Sequence, residues 1–357
     1  MSHLVVCGAL LVGAASPLIA QQRLYVANQD DATVSIVDLA TNTVVETVDL
    51  QALGFGANAK PHHAVVEPDG SFWYLTLIGG GKVLKFDRQN RIVGSVDQEV
   101  PGLMALDPAH DLLVVGHSMA AVNPPRRIAL IRRSDMTLID EIDVFFPRPH
   151  ALALSPDGSH VFVASLGVNQ LTSVRLADGK VQLVDVEGPP HTLTQFSVSP
   201  DGHWLVATAE TSGQLLVFDI SQPDAPRLAH SVATPGPFET AFSWDGRWLW
   251  ATNLNANTVS VVDVSDWTVS QVITDERFSQ PHGVMPGPDG RFMYVSNRSQ
   301  AGGAHDHEGQ KATAHGVLAV ICQPTRMVES VLTVGNYAAG IGVAVPAGRP
   351  GTPASCR

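Results

Sequence analysis

The sequence predicts an all-β protein: a seven-bladed β-propeller of four-stranded blades, its ring closed by N-terminal strands that complete the C-terminal blade. Three observations carry this. An apolar strand, a tight Asp-Gly turn and a second apolar strand recur along the chain. A third strand and a polar fourth segment follow each copy, and the units lie about 44 residues apart. The two ends of the chain are complementary fragments of one unit. A stack of hairpins in an open sandwich, the alternative, would not space its copies so regularly.

The first segment stands apart. "LVVCGALLVGAA" (4–15) is apolar, too short to span a bilayer, and is followed by Ser16-Pro17 and Gln21-Gln22. It reads as a signal peptide over 1–20, cleaved near Ala15 or Ala20, although "MSH" lacks the usual basic residue. A buried first strand is the other reading. On the first reading the chain is exported, periplasmic or extracellular, with no membrane span after cleavage. Cleavage removes Cys7 and leaves Cys322 and Cys356, either a pair that pins the tail or two free thiols. The propeller then occupies 21–346 and a tail 347–357.

The mature chain opens in mid-blade. "RLYVANQDDATVSIVDL" is a second and third strand without a first. First strands follow in seven copies, five of them leading to turns at Asp69, Asp157, Asp201, Asp245 and Asp289. Two are degenerate, with Ala109 and Ala347 at the Asp position. Third strands read "TVSIVDL", "KVLKFD", "QLLVFDI" and "TVSVVDV". The last first strand, "GIGVAVP", lacks a second, which the N-terminus supplies, so no sheet edge stays open at the seam. Composition agrees. Of 357 residues 31 are Gly and 24 Pro, and only 16% are charged, which suits short strands and tight turns. A formal charge of −12 with no basic face argues against nucleic acid as a partner.

The repeat also serves as a ruler. Seven residues before each turn Asp stand His62, Gly102, His150, Thr194, Phe238, His282 and Gly340, at the start of the innermost strand. Eight residues after it stand Leu77, His117, Ser165, Ala209, Asn253 and Asn297, with Asn28 in the split blade. Antiparallel strands bring both sets to one face. The sixth blade's loop on that face is the long "NRSQAGGAHDHEGQKATAHG" (297–316), placed as a lid over the axial mouth. His62, His63, His117, His150, His191, His282, His305, His307 and His315, nine of the fourteen histidines, therefore gather at one end of the ring.

Neutral imidazole binds zinc and copper, given three or four donors about 2.0–2.3 Å from one point. The expectation is a metal site, copper or zinc, or a small-ligand site, with redox chemistry in view. Its inner shell would be His62, His150 and His282, with His117 or His191 as a fourth. Asp306 or Glu308 would orient a ligand, and Met104 and Met119 would favour copper. Histidines that merely bond neighbouring backbone remain the plain alternative.

"LYVANQDDATVSIVDLATNTVVETV" and "PHGVMPGPDGRFMYVSN" resemble the YVTN-repeat family of seven-bladed propellers, across essentially the whole mature chain. The resemblance implies the fold and leaves the function open. Secreted propellers of related type, nitrous-oxide reductase and haem-binding nitrite reductases, place histidines on the axis, and selenium-binding-type thiol oxidases use histidine ligands. The similarity is one of arrangement only, since no Cys-x-x-Cys-His is present. Other seven-bladed propellers are lactonases. For that reading Glu239 is the candidate base and Arg298 the oxyanion stabiliser. No Gly-x-Ser-x-Gly elbow occurs, and "GGGK" (79–82) reads as a turn. A third reading is a non-catalytic platform for a protein partner. For that reading Trp73, Trp204, Trp244, Trp248 and Trp250 look like blade packing, while "FFPRPH" (145–150) could wall a pocket.

Overall fold

The computed structural model describes residues 22–117, 123–299, 315–345, 348, 350, 355 and 356. The signal-peptide segment, His305, His307, Asp306, Glu308 and Met119 lie outside the described residues. The rest is all β, in seven four-stranded antiparallel sheets. The innermost strands of blades 1 to 7 are Pro61–Val66, Pro101–Asp107, Pro149–Leu154, Leu193–Val198, Pro237–Phe242, Pro281–Pro286 and Ala338–Val343. Each packs on the innermost strands of both neighbours, the seventh on the first included, so the ring is closed. No helix among the described residues is long and apolar enough to cross a membrane.

The sequence pattern explains the layering. Second and third strands, such as Phe72–Leu77 and Lys82–Asp87, are buried along almost their whole length. Both of their faces meet neighbouring blades, which is why they read as unbroken Val, Leu, Ile and Phe. Outer strands such as Thr43–Asp49 are exposed except at Val48. At the Asp-Gly turns the carboxylate accepts the N–H two residues on, as Asp69 does from Ser71 at 2.8 Å. Gly70 then takes φ +65°, which a side chain would disfavour. In the degenerate second blade Asp107 does this work by accepting the N–H of Ala109 at 3.1 Å.

The seventh blade joins the chain ends. Ala338–Val343 pairs antiparallel with Arg23–Asn28, and Thr33–Asp38 and Thr43–Asp49 complete the sheet. Trp73 of blade 1 is 1% exposed and stacks on Tyr25 of blade 7 at 4.5 Å and on Phe86 at 4.0 Å. Cys322 and Cys356 form a disulfide that ties the tail to the third strand of blade 6. One register needs correction. Asn28 faces Ala338 just as Leu77 faces Pro61, so the residue equivalent to His62 is Ala339, one earlier than Gly340. Counting from Ala347 fails because this strand pairs with Arg23–Asn28 from the other end of the chain and not with a strand that follows it. Trp73 and Trp250 are buried in blade packing, as expected of them. In "FFPRPH", Phe146 is buried in the core of blades 2 and 3 and only Phe145 is exposed.

Candidate functional site

Each inner strand bulges near its start. Pairing with the second strand is irregular between Pro61 and Ala64, Leu193 and Phe196, Pro237 and Thr240, and Pro281 and Val284. A hydroxyl holds the bulge. Thr76 accepts the N–H of His63 at 3.1 Å, Thr208 that of Gln195 at 2.9 Å, Thr252 that of Glu239 at 3.0 Å, and Ser296 that of Gly283 at 2.9 Å. The same hydroxyls donate to the next blade: Thr208 to the carbonyl of Phe238, Thr252 to that of His282, and Ser296 to that of Ala339. The bulge breaks strict alternation. Consecutive residues of one strand, His62 with His63 and Phe238 with Glu239, thus contribute to one site.

Three of the predicted histidines converge. The ring of His62 lies 6.0 Å from that of His150 and 6.4 Å from that of His282, both edge to face. His62 Nδ1 accepts from the amide of Gln29 at 2.8 Å, so its proton resides on Nε2. His150 Nδ1–H donates to the carbonyl of Thr194 at 2.7 Å. His63 Nδ1 accepts the backbone N–H of Met104 at 3.2 Å. His282 packs on Phe238 with ring centroids 4.6 Å apart.

The lactonase candidates fall in the same cluster. Glu239 Oε1 is 3.0 Å from His282 Nδ1, an approach that misses hydrogen-bond alignment. Arg298 is 1% exposed, donates to the hydroxyl of Tyr337, and lies 5.5 Å from the Phe238 ring and 4.7 Å from the Tyr337 ring. Burial raises the Glu239 carboxyl from 4.5 to about 7, against the lowering effect of His63 and Arg298. Burial lowers His63 from 6.5 to about 4, with Glu239 opposing. Burial, and after it the charge of Arg298, hold His282 well below 6.5. At neutral pH the site therefore holds His63 and His282 as neutral imidazoles, a carboxyl near its midpoint and one fixed cation.

His117 and His191 do not join as ligands. His117 Nδ1–H donates to the Glu99 carbonyl at 2.6 Å, and its Nε2 accepts from the Gln98 amide at 3.1 Å. His191 Nε2–H donates to the Glu187 carbonyl at 3.0 Å, and its Nδ1 accepts from Ser212 at 2.8 Å. Both nitrogens of each ring are committed to fastening loops. His315 is exposed. Among the described residues no three His, Cys, Asp or Glu side chains are placed to hold a metal ion. The described donors therefore do not fit the expected copper or zinc. Two contributors escaped sequence reading: Gln29, in the loop after the first N-terminal strand, and Tyr337, just before the last inner strand. Tyr337 had a signal of sorts, since the residue entering every inner strand is left-handed, from Lys60 (φ 48°) to Gln280 and Tyr337 (both φ 55°).

No protein-family model and no curated protein matches the sequence. Among solved structures the chain is similar to a functionally unknown protein from Desulfotomaculum acetoxidans, with TM-score 0.73 and 14% identity over 91% of this chain and 99% of that one. It is also similar to a periplasmic gluconolactonase from Pseudomonas aeruginosa, with TM-score 0.69 and 20% identity over 91% and 99%. A third is a putative 6-phosphogluconolactonase from Bacteroides fragilis, with TM-score 0.66 and 16% identity over 92% and 99%. At these identities the likeness establishes the fold: a seven-bladed β-propeller.

Proposed function

We propose that this protein is an exported hydrolase of sugar lactones, of YVTN-repeat type, using Glu239 as general base. The observation that carries the reading is the Glu239 carboxyl, buried, held near neutrality, in contact with His282 and under the field of Arg298. A base with an affinity for protons matched to the working pH is what ester cleavage requires. Gluconolactonase and putative 6-phosphogluconolactonases among the propellers of like fold support the substrate class. The Cys322–Cys356 pair supports an oxidising compartment.

In this mechanism ionised Glu239 takes a proton from water as the water oxygen bonds to the lactone carbonyl carbon. Negative charge develops on the carbonyl oxygen, where Arg298 and a neutral imidazole N–H of the axial cluster stabilise it. The ring C–O bond then breaks. The proton held on Glu239 passes to the leaving alkoxide, giving the open hydroxy acid. Phe238 and the histidine rings limit water around the carboxyl.

The test is hydrolysis of glucono-1,5-lactone, followed by acid release above the spontaneous rate. Glu239→Gln is expected to lower kcat by about 10²–10⁴-fold. In the parent the rate should rise with pH through about 7, as the carboxyl ionises. Equal turnover by parent and variant would remove Glu239 from the chemistry, and the absence of turnover in the parent would refute the reading.

A further inference from the structure

A second site lies at the opposite end of the ring. The Asp-Gly turn of blade 5, the loop between the third and fourth strands of blade 6, and Pro350 of the tail enclose a cleft of about 240 Å³. Trp244, Arg247, Trp248, Pro324, Arg326 and Pro350 form most of its wall. The Cys322–Cys356 disulfide ties the tail to the strand end that leads into Gln323, another residue of the cleft.

The cleft's charge is unusual for so small a space. The guanidinium of Arg326 lies 4.1 Å from the Trp248 ring, and that of Arg247 lies 4.8 Å from the same ring. Arg326 is held in place by Ser270 at 2.9 Å and Gln271 at 3.4 Å. Neither guanidinium has an ion pair with a carboxylate among the described residues. Asp245 also lines the cleft, but its Oδ1 is taken by the Ser243 hydroxyl at 2.6 Å and the Arg247 N–H at 3.1 Å. Burial and, after it, Arg247 lower the Arg326 pKa, with Asp263 opposing. Two cations thus lie against one indole, Arg326 held there by its hydrogen bonds, beside a second indole whose N–H is occupied by the Gly287 carbonyl at 2.7 Å. Arginine in such a stack still offers its in-plane donors to a carboxylate.

We infer that this cleft binds a carboxylate borne on a single six-membered ring, with the carboxylate between Arg247 and Arg326 and the ring against the tryptophans. The volume admits one ring and little more, below the usual range of drug-sized pockets. A carboxylate would relieve the repulsion between the two arginines, and the indole walls suit the face of either a pyranose or an aromatic ring. The inference is independent of the lactonase reading, since it uses the other face of the ring.

Calorimetric titration with glucuronate, benzoate and neutral methyl glucoside tests it. Saturable binding of at least one acid at millimolar concentration or below is expected, with no binding of the glucoside. Glucuronate alone would identify a sugar acid as the source, benzoate alone an aromatic one. Arg247→Gln and Arg326→Gln should each weaken binding about ten-fold or more, the cost of losing a charge-assisted bond. Both variants should keep the parent's rate of lactone hydrolysis, and Lys82→Gln, far from the cleft, should bind like the parent. Binding of neither acid by the folded parent, equal binding of the glucoside, or unchanged affinity in both arginine variants would overturn the proposal.

Discussion

Glu239→Gln makes a prediction about stability that follows from two opposed titrations. In the unfolded chain the carboxyl loses its proton near 4.5, whereas in the fold it keeps it to about 7. Over that window the unfolded state binds fewer protons, so stability falls as pH rises. The displacement amounts to roughly 3 kcal/mol, at about 1.4 kcal/mol per tenfold change in proton affinity. His63 works the other way. Its folded form stays neutral down to about 4 against 6.5 when unfolded, so its contribution is lost as pH falls from 6.5 to about 4. Between 4.5 and 6.5 the folded state holds the proton of Glu239 and the unfolded state that of His63, and the two slopes offset each other. His282 and His117, whose folded forms also resist protonation below 6.5, add slopes in the sense of His63, so the parent should gain stability with rising pH there. Removing the titrating carboxyl steepens that slope. Urea denaturation followed by tryptophan fluorescence across this range should show the variant gaining on the parent by up to about 3 kcal/mol from the acid to the alkaline side of the window. A glutamine carries its own burial cost, so the readout is the change of the difference with pH. Parallel curves would mean that Glu239 titrates as in water, and the base proposed for catalysis would lose its tuning.

Other outcomes follow from neighbouring features. Thr252→Val keeps the shape but strips the N–H of Glu239 and the carbonyl of His282 of a partner, and should cost about 1–3 kcal/mol while also lowering lactone turnover. Cys322→Ser opens a link between residues 34 apart and should lower stability by about 2–4 kcal/mol in denaturant titration. Prolonged dialysis against a chelator should leave lactone hydrolysis unchanged, because among the described residues no three His, Cys, Asp or Glu side chains are placed to hold a metal ion, and His117 and His191 engage both ring nitrogens. A chelator-sensitive rate restored by zinc or copper would reinstate the metal expectation.

The blades were legible because Asp-Gly turns recur with a reason: the carboxylate caps the turn and glycine takes the left-handed position. That ruler alone brings His62, His150 and His282 together, as their ring contacts bear out. It failed at Gly340, whose strand takes its partner from the other end of the chain. It also could not separate His117 and His191 from the axial trio. All five share a face, and only the partners of each nitrogen, such as Gln98 and Ser212, distinguish a fastener from a site residue. The Ser or Thr at the fifth position of second strands, Thr76, Thr208, Thr252 and Ser296, was visible in the sequence. Its meaning depends on a bulge that the alternation of apolar residues does not announce. Glu239 and Arg298 were legible as charges out of place near the axis, and their closeness to His282 was not.

The shared seventh blade has a consequence for synthesis. Glu239, Arg298 and the histidines are all made before Ala338–Val343, the strand that must find Arg23–Asn28 across the whole length of the chain. Gln29, which holds His62, belongs to the beginning, and Tyr337, which receives Arg298, to the end. A polypeptide released before residue 338 would carry Glu239, Arg298 and the axial histidines and still lack the closed ring that assembles them. The seam thus completes the axial cluster only in chains whose first and last strands have met.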